Sequence, residues 1–198
     1  MRQKCSKYLC LMVCFLLLMA CGSASKKPVI IIDKTIPKAQ IVLTEEQKQS
    51  YQKALRFMEQ KNFADAESIF NKLIKSQPEL TGAYVNLGAI KKADNKPDEA
   101  EGFFTSALKI NPNFIDALLQ QALIFQDKGE FTKAEDLLRR AEAINPDHPL
   151  VNYNLGVLYE LYLQDYALAV QHYKRYITLS SAEDVETVKR WILLLERK

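Results

Sequence analysis

The chain has 198 residues, with 27 Lys or Arg against 24 Asp or Glu, two histidines and four cysteines. Arg2, Lys4 and Lys7 sit in the opening stretch, so the chain beyond residue 20 carries 24 basic and 24 acidic residues and is formally neutral. That balance removes the electrostatic case for a nucleic-acid or anionic-membrane surface.

Residues 1–20 have the three parts of a secretory signal: the three bases, the apolar run Tyr8 to Met19, and a small residue, Ala20, before the cut. The run is too short to span a bilayer comfortably. Cys5, Cys10 and Cys14 belong to this stretch, which leaves Cys21 with no disulfide partner and requires the folded part to rest on its core. The string Leu18-Met19-Ala20-Cys21 resembles the processing motif of bacterial lipoproteins, although Met19 is a less usual occupant of its middle position. The resemblance implies that the Cys21 thiol takes a diacylglyceryl group, that cleavage falls before it, and that the new amine is acylated too. The membrane is then reached through a lipid anchor. Gly22, where the family's inner-membrane retention signal is usually an aspartate, points to the periplasmic face of the outer membrane.

Residues 21–43 read as a tether. Gly22 to Lys27 is flexible in composition, and the whole stretch reaches roughly 70 Å when extended at about 3.3 Å per residue. Val29-Ile30-Ile31-Ile32 is different, a strand-prone apolar run that needs cover from this domain or from a partner. Thr44 and Gln47 then have the spacing of a capping box for the first helix.

From there the chain repeats. Pro78, Pro112 and Pro146 are 34 residues apart, as are Phe63, Pro97 and Phe131, and Ala66, Ala100 and Ala134. This resembles the tetratricopeptide repeat, a helix pair of that period. The resemblance implies an all-α superhelix of about four repeats, at 47–80, 81–114, 115–148 and 149–181, closed by a C-terminal cap helix over 182–197, the whole domain spanning 44–198. Small residues fill the close-contact places: Ala54, Gly88, Ala122 and Gly156 in the first helices, and Ala66, Ala100, Ala134 and Ala169 in the second. Departures are Lys91 for an aromatic, Asn95 for the turn glycine, Tyr176 for a late alanine, and one extra residue within repeat 4. Ser180, Ser181, Glu183 and Asp184 suggest a capping box for the cap helix. Val185, Val188, Ile192 and Leu195 form its inward stripe, with Trp191 and Leu194 on the opposite face.

In such an array the first helices line a concave groove, and the resemblance places its residues mainly at the second, fifth, sixth, ninth, twelfth and thirteenth places of each repeat. The fifth place is Tyr51, Val85, Leu119 and Tyr153, and the ninth includes Leu55, Leu123 and Val157. The sixth is an amide throughout, Gln52, Asn86, Gln120 and Asn154, able to donate to and accept from a bound backbone. Family members that grip terminal carboxylates use lysines at fifth and second places; here the fifth places carry none, which disfavours an acidic chain end and favours a segment with apolar side chains. Tyr153 and Tyr162 are further interface candidates. His148 and His172 fall in no metal-ligand spacing, and no phosphate loop, nucleophile elbow or zinc-protease signature occurs, so neither catalysis nor a cofactor or metal is expected. The expected role is an adaptor or assembly factor binding protein partners of the cell envelope, a second copy among them. It resembles the pilotin-like lipoproteins that help a secretin or pilus assemble. The alternatives are a scaffold for peptidoglycan enzymes and a component of an energised envelope transport complex.

Overall fold

The computed structural model describes residues 42–181 and 184–197. Cys21, the signal stretch, the Val29 to Ile32 run and Glu183 lie outside the described residues. The first helix, α1 (Glu45–Glu59), begins where the capping box expects it. Thr44 Oγ1 accepts from the Gln47 amide at 3.2 Å, and Gln47 Oε1 accepts from the Thr44 amide at 2.9 Å. There follow α2 (Phe63–Ser76), α3 (Thr81–Ala93), α4 (Pro97–Ile110), α5 (Ile115–Asp127), α6 (Phe131–Ile144), α7 (Pro149–Leu158), α8 (Tyr166–Leu179) and α9 (Val185–Leu195). Pro97 sits in the first turn of α4, where the missing amide hydrogen has no helical acceptor to lose. Among the described residues there is no strand, and no helix is long and apolar enough to cross a membrane.

The turn inside each pair needs one residue in the left-handed region. Lys61, Asn95, Gly129 and Gln164 occupy it, with φ of 59°, 60°, 77° and 57°. The first three are 34 residues apart and the last comes one residue late. That extra residue is absorbed in a π-helical segment, Tyr159–Leu163, that continues α7, the usual way a helix takes up a single insertion. Asn95 tolerates the conformation that glycine fills at Gly129.

Each helix packs on the next, and α3 also meets α5, so the first helices of the second and third pairs lie side by side. The close-contact places are all without solvent exposure: Ala54, Ala66, Ala100, Ala122, Ala134 and Ala169. Gly88 lies under the ring of Phe104, and Gly156 under the ring of Tyr173. Lys91, standing where the repeat has an aromatic, is buried and pairs with Glu67 of α2 at 2.5 Å and Glu99 of α4 at 3.7 Å. The hydrogen bond to Glu67 raises its pKa, so the cation replaces the missing ring as a cross-link between helices.

The cap helix starts later than its serines suggest. Its N-cap is Asp184, whose carboxylate does not cap the helix; it instead accepts the Tyr176 hydroxyl at 2.6 Å. The inward stripe is as expected, with Val188, Ile192 and Leu195 buried. Trp191 packs against Tyr173 at 5.9 Å between ring centroids, so it too serves the joint between cap and repeat 4, while Leu193 and Leu194 stay exposed.

Candidate binding groove

Of the eleven side chains assigned to the groove, the structure closes five. Tyr51, Leu55, Val85, Asn86 and Leu119 are buried, because neighbouring helices approach closely enough to cover these fifth, sixth and ninth places. Tyr51 turns its ring edge onto Phe70 at 5.4 Å between centroids. Its hydroxyl accepts from the Asn86 side-chain amide at 2.8 Å, which ties α1 to α3. The expected row of four outward amides is therefore corrected to three, Gln52, Gln120 and Asn154, with Asn86 spent on the fold.

The remaining six, Gln52, Gln120, Leu123, Tyr153, Asn154 and Val157, keep some exposure, and all but Gln52 belong to repeats 3 and 4. Two leucines join them. Leu150 is 43% exposed and Leu161 60%, and with Asn154 and Val157 they recur at helical spacing along α7 and its π-helical extension. The result is one apolar stripe on the last inner helix, interrupted by a single amide whose nitrogen donates back to the Leu150 carbonyl at 2.7 Å. Leu150 and Leu161 occupy the second and thirteenth places of repeat 4, so the repeat register is the signal that locates them, beyond the fifth, sixth and ninth places named above. Tyr153 forms the wall of the stripe, its ring 5.2 Å from Tyr176 and 6.3 Å from Tyr173. Tyr162 stacks one face on Phe131 at 4.5 Å, which leaves it only partly available.

Behind this wall lies a polar joint between repeats 3 and 4. His172 of α8 is buried, with Nδ1 3.3 Å from Asn152 Oδ1 and Nε2 3.4 Å from Arg139 Nη1. The neutral ring satisfies both contacts when Nδ1–H donates to Asn152 and Nε2 accepts from Arg139. Tyr159 stacks on the ring at 5.7 Å, and its hydroxyl bonds to Glu135. Burial lowers the His172 pKa first; Arg139 and Arg175 act in the same direction, and Glu142 at 3.7 Å opposes them. An unfolded histidine takes up its proton near pH 6.5. Between that value and the lower folded one, the unfolded state binds more protons, so the histidine's contribution is intact above about pH 6.5 and is lost as pH falls through the folded value. His148, lowered by burial, adds with the same sign. The urea midpoint should therefore drop from pH 7.5 to pH 5.5 by more in the wild type than in His172→Gln; equal drops would show that the joint does not respond to the proton.

Among the described residues no group of three or more His, Cys, Asp or Glu is placed to hold a metal ion. The polar contacts of the joint are all satisfied within the fold. What the arrangement offers chemically is a surface: an apolar stripe with amides beside it, suited to side chains and backbone of another segment.

Three tetratricopeptide-repeat family models match the chain, at residues 51–113, 91–158 and 150–183. Anaphase-promoting complex subunit 3 of Schizosaccharomyces pombe is 23% identical over 139 residues, covering 70% of this chain but 21% of its own length. The chain thus spans about a fifth of that relative. Among solved structures, Pseudomonas aeruginosa pilF superposes with a TM-score of 0.69 at 19% identity, over 77% of this chain and 70% of that one. A thermophilic TPR protein of Thermus thermophilus gives 0.65 at 21% identity, over 76% and 82%. At these identities the likeness to solved structures is one of fold. With the 34-residue period, the small residues at the helix contacts and family matches running from residue 51 to residue 183, the chain belongs to the tetratricopeptide-repeat family.

Proposed function

We propose that this protein is a lipid-anchored adaptor on the periplasmic face of the outer membrane, docking a protein segment in the groove of repeats 3 and 4 during assembly of a secretin or pilus. The observation that carries the docking role is the apolar stripe on an inner helix in which Leu150 and Leu161 are exposed on either side of the half-buried Val157, apolar surface left open to solvent. Support for the setting comes from the Leu18 to Cys21 motif and from the fold shared with pilF of Pseudomonas aeruginosa. The adaptor performs no chemistry of its own; it holds a partner at the membrane.

Two measurements test this. Cys21→Ser should move the protein from the detergent phase to the aqueous phase, because stable anchoring needs more than one acyl chain at about 0.8 kcal/mol per buried methylene. Equal retention of the variant in the outer-membrane fraction would refute the anchor. A photo-crosslinking residue at position 123 in living cells should capture a secretin or pilus subunit. Capture of an amidase or endopeptidase would instead make the protein a scaffold for peptidoglycan enzymes, and capture of an inner-membrane transport subunit would place it in an energised complex.

A further inference from the structure

Across residues 115–127 and 149–163, the inner helices of repeats 3 and 4 carry three carboxylates, Asp116, Asp127 and Glu160, and no lysine or arginine. Lys92 of α3, 3.9 Å from Asp127, offsets one of these charges, and Glu160 accepts the Tyr173 hydroxyl at 2.7 Å, so the two helices keep a negative balance. An apolar stripe in an acidic setting is complementary to an apolar segment flanked by bases. The chain contains such a segment. Lys26-Lys27-Pro28-Val29-Ile30-Ile31-Ile32-Asp33-Lys34 places four aliphatic residues between lysines, with one carboxylate among them.

The reach is sufficient. Residues 33–43 join this segment to the start of α1 and extend to about 36 Å at about 3.3 Å per residue. Inner helices packed side by side at about 10 Å put α5 roughly 20 Å from α1 and α7 roughly 30 Å. Asn154 within the stripe donates its amide nitrogen to the Leu150 carbonyl, which leaves its Oδ1 as an acceptor for the N–H of an extended backbone.

We propose that residues 26–34 dock in the groove of repeats 3 and 4 as a resident ligand that a protein partner must displace. The inference rests on the reading of this groove as the docking site. A short tether holds its segment at an effective concentration on the order of millimolar. A segment whose own dissociation constant is about 100 µM therefore leaves the groove open about one-tenth of the time, and partner affinity falls by the same factor. The tether that carries the protein to the membrane thus also sets the threshold for engagement.

The test is made on the full chain in cells, with a photo-crosslinking residue at position 157 and peptide mapping of the purified protein. The expected adduct joins position 157 to a peptide containing residues 26–34 of the same chain, and changing Lys26, Lys27 and Lys34 together to Glu should lower its yield at least tenfold. No such adduct, an adduct formed only between isotopically distinct copies, or a yield indifferent to the charge reversal would each overturn the proposal. In a second arm, a synthetic peptide of residues 26–34 should bind a variant lacking residues 26–36 and lose at least tenfold in affinity when Leu161→Asp is added; absence of binding overturns the proposal. The two readings fail separately. A partner captured normally by groove variants refutes the groove as its site, while the adduct within one chain reports on the resident segment alone.

Discussion

Gly88→Ala should destabilise the protein by about 2 kcal/mol, against the direction that helix propensity alone predicts. Alanine inside a helix is favoured over glycine by about 0.5 to 1 kcal/mol. A Cβ at Gly88, however, would stand 2.3 Å from Phe104 Cε1 and 2.8 Å from two further ring carbons. Phe104 is fully buried, so its ring cannot swing into solvent and α3 must part from α4. Overpacking of this kind costs about 1 to 3 kcal/mol and occasionally more, which outweighs the propensity gain. Gly156→Ala should behave alike, since its Cβ would meet Tyr173 at 2.5 Å, and that ring is held by its hydroxyl on Glu160 and by Trp191 of the cap. Ala100→Leu and Ala134→Leu, at the corresponding places of second helices, should cost about 1 to 3 kcal/mol each. Urea unfolding checks all four through the midpoint, with the slope unchanged. A stabilised Gly88→Ala would mean that the helix pair is looser than described.

What could be read from the residues was the scaffold, because repetition multiplies weak signals. A single small residue or a single proline is uninformative, but Ala66, Ala100 and Ala134 at one period, with Gly88 and Gly156 facing rings, constrain register and packing together. Even the irregularity was visible: the extra residue in repeat 4 is the π-helical segment that carries Leu161 outward. The site was less legible, because a place in the repeat says which way a side chain starts but not how far the next helix closes over it. Val85 and Leu119 are buried by that closure, whereas Leu123 at a ninth place is partly exposed. Asn86 shares the sixth place with the other amides, yet only its distance to Tyr51 on another repeat decides that it serves the fold. At the cap, the spacing of the serines does not disclose that the Asp184 carboxylate accepts from Tyr176 of the preceding helix rather than capping the helix that starts at Val185.

Leu150→Asp combined with Leu161→Asp should reduce partner capture at least tenfold while leaving stability within about 0.5 kcal/mol of the wild type. Both side chains are exposed, Leu150 at 43% and Leu161 at 60%, and changes away from core contacts usually fall within that margin. Binding is another matter, because truncating an anchor in the centre of an interface costs over 1 kcal/mol and the best anchors cost 2 or more. A carboxylate placed there must also give up its water when a partner covers the stripe, at a further cost in binding. Leu119→Ala is the necessary contrast. That residue is 4% exposed and sits in the core shared by repeats 3 and 4, so its loss should cost about 2 to 5 kcal/mol of stability and reports on the fold, not on the groove. Capture is read by crosslinking from an unrelated surface position, and stability by urea unfolding of the same preparations. If the double variant captures its partner normally, the concave face of repeats 3 and 4 is not the docking site, and the exposed Leu193 and Leu194 on the outer side of α9 become the surface to change next.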